Sequence, residues 1–150
     1  MTEFDIKLQE FDLQYFSAGN MDKFRMTMQN FMAKTLDTEK NKIDINKAIA
    51  LSDQGQGFIL DVRTKEEVEQ VKFGFAVNIP LHELPNRLNE IPTDQTIAIF
   101  CAAATRAKMA VLYLQERGYA NVKFIPESHG QITETIKPGS VWKRLKRASE

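Results

Sequence analysis

The hydrophobic positions change their period along this chain. In the N-terminal part they recur at steps of three and four: Phe4, Leu8, Phe11 and Tyr15, then Met21, Phe24, Met28 and Phe31. Such spacing puts each set on one helix face. Ser17-Ala18-Gly19-Asn20 separates the two sets, and Asn20 is suited to cap the second helix. The pattern predicts a helical hairpin over residues 1–38. The hairpin cannot bury both stripes by itself. It must pack on the rest of the protomer, on a second copy in a homodimer, or on a partner protein gripped by the Met/Phe surface.

From about residue 41 to 139, short continuous apolar runs alternate with helical stripes. Ile45, Ala48 and Ile49 predict a short helix over 43–51, ended by the Gln54-Gly55-Gln56-Gly57 turn. Phe58 to Val62 reads as a buried strand, and Thr64 starts a helix with Glu66 and Glu67 in its first turn. Ala76 to Leu81 reads as a strand with an exit turn, and Leu81, Leu84 and Leu88 as a short amphipathic helix. Ile97-Ala98-Ile99-Phe100 reads as a central strand. Met109, Leu112 and Tyr113 predict the helix after it, stopped by Gly118. Val122 to Ile125 is a last strand. Strands alternating with helices predict an α/β fold with a mostly parallel central sheet flanked by helices. In residues 140–150, Val141, Trp142 and Leu145 share a face among Lys143, Arg144, Lys146 and Arg147. A frayed basic tail with Trp142 docked on the domain is expected there.

Composition narrows the function classes. The chain has 150 residues, enough for one domain with an appendage. Its 20 Lys and Arg balance 20 Asp and Glu, so net charge points to neither a nucleic-acid nor a membrane partner. A single cysteine excludes an intrachain disulfide and a cysteine-based zinc cluster, and the two histidines are not clustered with it, so no metal site is predicted. No apolar run reaches membrane-spanning length, and the acidic start is unlike a signal peptide. A reducing cytoplasm is the expected compartment.

The candidate chemistry lies at that cysteine. Cys101 follows a strand, precedes the small loop Ala102-Ala103-Ala104-Thr105, and is joined through it to Arg106 at a helix start. Free N–H groups at a helix N-terminus and a nearby cation favour a thiolate at such a position. The thiolate is a nucleophile. His82, at a helix start, is expected on the surface, and His129 lies in a loop that should face the site.

Cys101-Ala102-Ala103-Ala104-Thr105-Arg106 resembles the loop Cys-x-x-Gly-x-Arg of the rhodanese-like sulfurtransferases, with Ala104 at the glycine position. Asp61-Val62-Arg63 with Glu67, the segment Ala76-Val77-Asn78-Ile79-Pro80-Leu81, and Gly118-Tyr119-Ala120-Asn121-Val122 extend the resemblance over about residues 41 to 130. It implies a rhodanese-like domain without a cofactor. Sulfane sulfur would move from thiosulfate or a protein persulfide to a thiol through a Cys101 persulfide. Residues Ala102, Ala103, Ala104, Thr105 and Arg106 would hold donor and persulfide, and Asp61 and Arg63 would support the loops beneath. A non-catalytic regulatory domain is the alternative, because of Ala104. A cysteine phosphatase or arsenate reductase is a further one, although the loops of those families are longer.

Overall fold

The computed structural model describes residues 36–149. The predicted hairpin falls almost wholly on residues 1–35, outside the described residues.

The described chain runs α1 (Ile45–Asp53), β1 (Gly57–Asp61), α2 (Lys65–Gln70) and β2 (Val77–Asn78), then two 3-10 turns (Leu81–Asn86 and Leu88–Glu90). It continues as β3 (Thr96–Phe100), α3 (Thr105–Glu116), β4 (Val122–Phe124), α4 (His129–Thr133), a 3-10 turn (Glu134–Ile136) and α5 (Pro138–Ser149). The four strands are parallel, in the order β2-β1-β3-β4. Lys42 adds a further parallel bridge to Phe124, with the Phe124 N–H donating to the Asn41 carbonyl at 2.8 Å.

The strand order explains the continuous apolar runs. On one face of the sheet, Ile97, Ile99 and Cys101 pack with Leu60, Val62 and the α3 residues Ala107, Met109 and Ala110. On the other, Ala98 and Phe100 pack with Ile59, with Ala48 and Ile49 of α1, and with Ile132 of α4. A strand covered on both faces needs apolar residues at every position, not at alternate ones. The α/β class with a mostly parallel sheet is as expected.

Helix ends follow local chemistry. Asp44 caps α1 by accepting from the Lys47 N–H. Thr64 and Glu67 form a reciprocal capping box on α2. Gly118 (φ 92°) lies just beyond the end of α3. There the Gly118 N–H donates to Gln115 at 3.1 Å and the Tyr119 N–H to Leu114 at 3.0 Å.

Two expectations are corrected. Residues 81–90 form 3-10 turns instead of one amphipathic helix, with Pro85 inside the first. Proline lacks the N–H of an α-helical ladder, so the apolar stripe is presented by tighter turns. The basic tail is also not frayed: Pro138 opens a 12-residue helix, and Trp142 is 59% exposed instead of docked. Proline at a first helical position is pre-organised for that geometry.

The turn between α1 and β1 is tight. A Cβ on Gly57 would lie 2.8 Å from the Leu51 Cβ and 3.1 Å from the Ser52 N. Gly57→Ala is therefore expected to destabilise the domain by about 1–3 kcal/mol, read as a lower urea midpoint with an unchanged slope.

Candidate functional site

The strand order doubles back between β1 and β3. From β1 the chain passes outward to β2, then returns to the other side of β1 as β3 and continues to β4. In open parallel sheets, ligands bind beyond the carboxyl ends at such a reversal. Asp61 pairs in register with Phe100, so the loops after β1 and β3 emerge side by side. Asp61 at the end of β1, Arg63 in the loop after it, and Cys101 through Arg106, from the loop after β3 into the first turn of α3, are thereby set side by side.

Cys101 is 1% exposed, and its Sγ accepts from the Ala107 N–H at 3.4 Å. Ala107 is the third residue of α3, whose N-cap, Ala104, supplies no side-chain acceptor. The sulfur thus takes the place of a capping oxygen for one first-turn amide. Ala107 lies one residue beyond the set expected from sequence. The signal was present in the spacing, because the third N–H of a helix is the one a preceding side chain commonly reaches.

Ala102 is half-buried and Ala103 exposed. Ala104 holds φ 71°, the one non-glycine residue with positive φ among the described residues. The backbone therefore adopts at Ala104 a shape that glycine takes without strain, and the methyl group is accepted at a cost. The Ala104 carbonyl still accepts the first helical bond, from the Lys108 N–H at 3.0 Å.

Arg106 is paired with a carboxylate. It is 6% exposed, and its Nη1 and Nη2 donate to Glu67 Oε1 and Oε2 at 2.5 and 2.9 Å. Its planar fork is matched to the carboxylate, which ties the α3 start to the α2 capping box. Lys108 lies with its Nζ 5.2 Å from the centre of the Phe124 ring.

Asp61 and Arg63 form a second, fully buried unit. Arg63 Nε donates to Asp61 Oδ1 and Oδ2 at 3.0 and 3.1 Å, and Nη2 donates to Oδ2 at 2.8 Å. Nη2 also donates to the Val71 carbonyl at 2.7 Å. The guanidinium carbon lies 5.0 Å from the Phe73 ring centre and 5.7 Å from that of Phe100. Buried charges require such pairing and full hydrogen bonding. Phe100 directly precedes Cys101, so the pair packs on the residue next to the loop.

On the opposite side, the His129 N–H donates to the Ala102 carbonyl at 3.2 Å. The His129 side chain is exposed. This histidine meets the loop through its backbone. Among the described residues, no group of His, Cys, Asp and Glu is arranged to hold a metal ion. Nor is any described helix long and apolar enough to cross a membrane.

A family model, the Rhodanese-like domain, matches residues 44–130, more than half of the chain. The chain belongs to the rhodanese-like domain family. A sulfurtransferase from Allochromatium vinosum is 35% identical over 72 residues, covering 48% of this chain and 67% of that protein. A tRNA sulfurtransferase from Mannheimia succiniciproducens is 28% identical over 124 residues, covering 75% of this chain. Only 24% of that relative is spanned, and 19% of two similar ones. Among solved structures, a rhodanese-related protein from Thermoplasma volcanium has 25% identity and a TM-score of 0.53, covering 65% of this chain and 95% of that one. Relatives named as sulfurtransferases support a sulfur-transfer role in general terms.

Two substitutions test the site's construction. Burial works against ionisation of Glu67, but the Arg106 hydrogen bonds and charge, with the Thr64 contacts, outweigh it and hold the carboxyl below its ordinary value of 4.5. The stabilisation is thus complete above that ordinary value and is lost as pH falls through the depressed one. Glu67→Ala should lower stability by about 2–3 kcal/mol at neutral pH, with the gap to wild type closing in acid, as read by urea titrations at several pH values. Ala104→Gly should raise stability by about 0.5–1 kcal/mol, strain relief being partly offset by a freer unfolded chain. A thermal melt showing no gain would mean that the loop carries no strain there.

Proposed function

We propose that the chain is a sulfurtransferase in which Cys101 accepts sulfane sulfur from thiosulfate or a persulfide donor and passes it to a thiol. The observation that carries this reading is the position of Sγ: at the end of a central parallel strand, where the sheet order reverses, within reach of the Ala107 N–H.

The chemistry needs no oxidant or cofactor. The Cys101 thiolate attacks the outer sulfur of the donor, and a new S–S bond forms. The donor's own S–S bond breaks, and sulfite or a thiolate leaves with the electron pair. Cys101 now carries a persulfide. A thiol acceptor, as its thiolate, then attacks the terminal sulfur, takes it, and restores the Cys101 thiolate. Two half-reactions through one covalent intermediate give ping-pong kinetics. The Ala107 N–H, fixed at the start of α3, stabilises negative charge on the Cys101 sulfur, because it is already oriented before reaction.

The side chains divide the remaining work. Ala102 and Ala103 offer no side-chain donors, so the loop contacts a substrate through backbone and methyl groups. Arg106 acts as a positioning residue: through Glu67 it holds the α3 start against the first turn of α2. Asp61 and Arg63 support Phe100 and hence the strand end that presents the sulfur.

One observation favours a second reading, a non-catalytic regulatory domain. Cys101 is 1% exposed, so a donor reaches it only where the loop gives way.

Intact mass spectrometry separates the two. The protein is incubated with thiosulfate and, separately, with a small thiol persulfide. One added sulfur is expected on wild type, removed by cyanide or a thiol, and none on Cys101→Ser. No added sulfur with either donor, in protein shown to be folded, would favour the non-catalytic domain. Equal loading of wild type and Cys101→Ser would remove Cys101 from the chemistry.

A further inference from the structure

Helix α5 presents an apolar face that the described domain does not cover. Trp142 and Leu145 are 59% and 60% exposed, and Val141 beside them is half-buried. The main described packing of α5 is on the preceding 3-10 turn. The Lys146 Nζ lies 4.9 Å from the Trp142 ring centre. With Lys143, Arg144 and Arg147 also in its sequence, the helix is amphipathic and strongly basic. The complementary surface is apolar along its middle and acidic at its edges.

We propose that residues 3–16 of the same chain are that cover. Their stripe of Phe4, Leu8, Phe11 and Tyr15 also needs a partner surface. It is accompanied by Glu3, Asp5, Glu10 and Asp12, against Lys7 alone. One contact would bury both stripes and pair opposite charges along them. The lengths agree: as a helix, residues 4 to 15 rise about 16 Å, and the 12-residue α5 spans about 18 Å. Residues 17–35 supply the connection; with the second stripe, residues 21–31, helical, it can still reach up to about 40 Å. Joining in one chain also raises the effective concentration of the two faces to the millimolar range.

Charge disfavours the other occupants. A second α5 laid on the first would set basic residues against basic residues. An anionic lipid surface suits the helix's sign, but it would leave the acidic N-terminal stripe uncovered. The chain is neutral overall, so the basic helix is matched by acid elsewhere in the same molecule.

Trp142 is the only tryptophan, so intrinsic fluorescence of the full chain reports on this face alone. In dilute wild-type protein, blue-shifted emission and shielding from acrylamide are expected. The double variant Leu8→Asp/Phe11→Asp should shift emission to the red and raise quenching several-fold, while the thermal melt still shows a folded domain. If that variant does not fold, Glu10→Lys/Asp12→Lys gives the same readout through charge. In that case Lys143→Glu/Lys146→Glu, added to it, should restore shielding. Equal emission and quenching in wild type and variants would overturn the proposal. So would shielding that disappears on dilution, which would assign the face to a second copy. So would shielding that appears only with phosphatidylserine vesicles, which would assign it to a membrane.

Discussion

The parallel pairing of β1 with β3 is the constraint on which the site depends. Its register sets Asp61 opposite Phe100, so two crossover loops leave the sheet at one level. Without that match, the buried Asp61–Arg63 unit would not meet Phe100, and Glu67 would not reach Arg106. The strand ends are held by backbone geometry, and the two ion pairs then fix the loops that grow from them. Each pair is costly to bury singly and is accepted because both partners are satisfied.

This arrangement makes the fold and the chemistry interdependent. The first turn of α3 ends the cysteine loop, supplies the amide that reaches Sγ, and carries the arginine that anchors the loop to α2. A helix N-terminus with a cation in its first turn is electrostatically unfavourable by itself. Glu67 compensates for it, since its carboxylate serves its own capping box and the neighbouring helix start together.

Much of this was legible in the residues. The unbroken apolar run Ile97 to Phe100 fixed a central strand, because only a strand covered on both faces needs one. Gly118 marked the end of α3 because that position requires φ beyond the reach of most side chains. Three features were not legible. Arg106 could be expected near the loop, but its pairing with Glu67 depends on the starts of two helices meeting. Pro85 in an apolar stripe left the period intact while changing the helix type. The pairing of residues 41–43 beside β4 is a short contact, set by tertiary context, without a pattern of its own.

The two walls of the cysteine loop are unequal. Toward β1, the bidentate Arg106–Glu67 pair ties the end of the loop to α2, and the buried Asp–Arg unit packs on Phe100, the residue before it. Toward β4, the described backbone tie is one N–H···O contact of 3.2 Å from His129 to Ala102. The weaker described tie is thus on the β4 side, beside the start of α4.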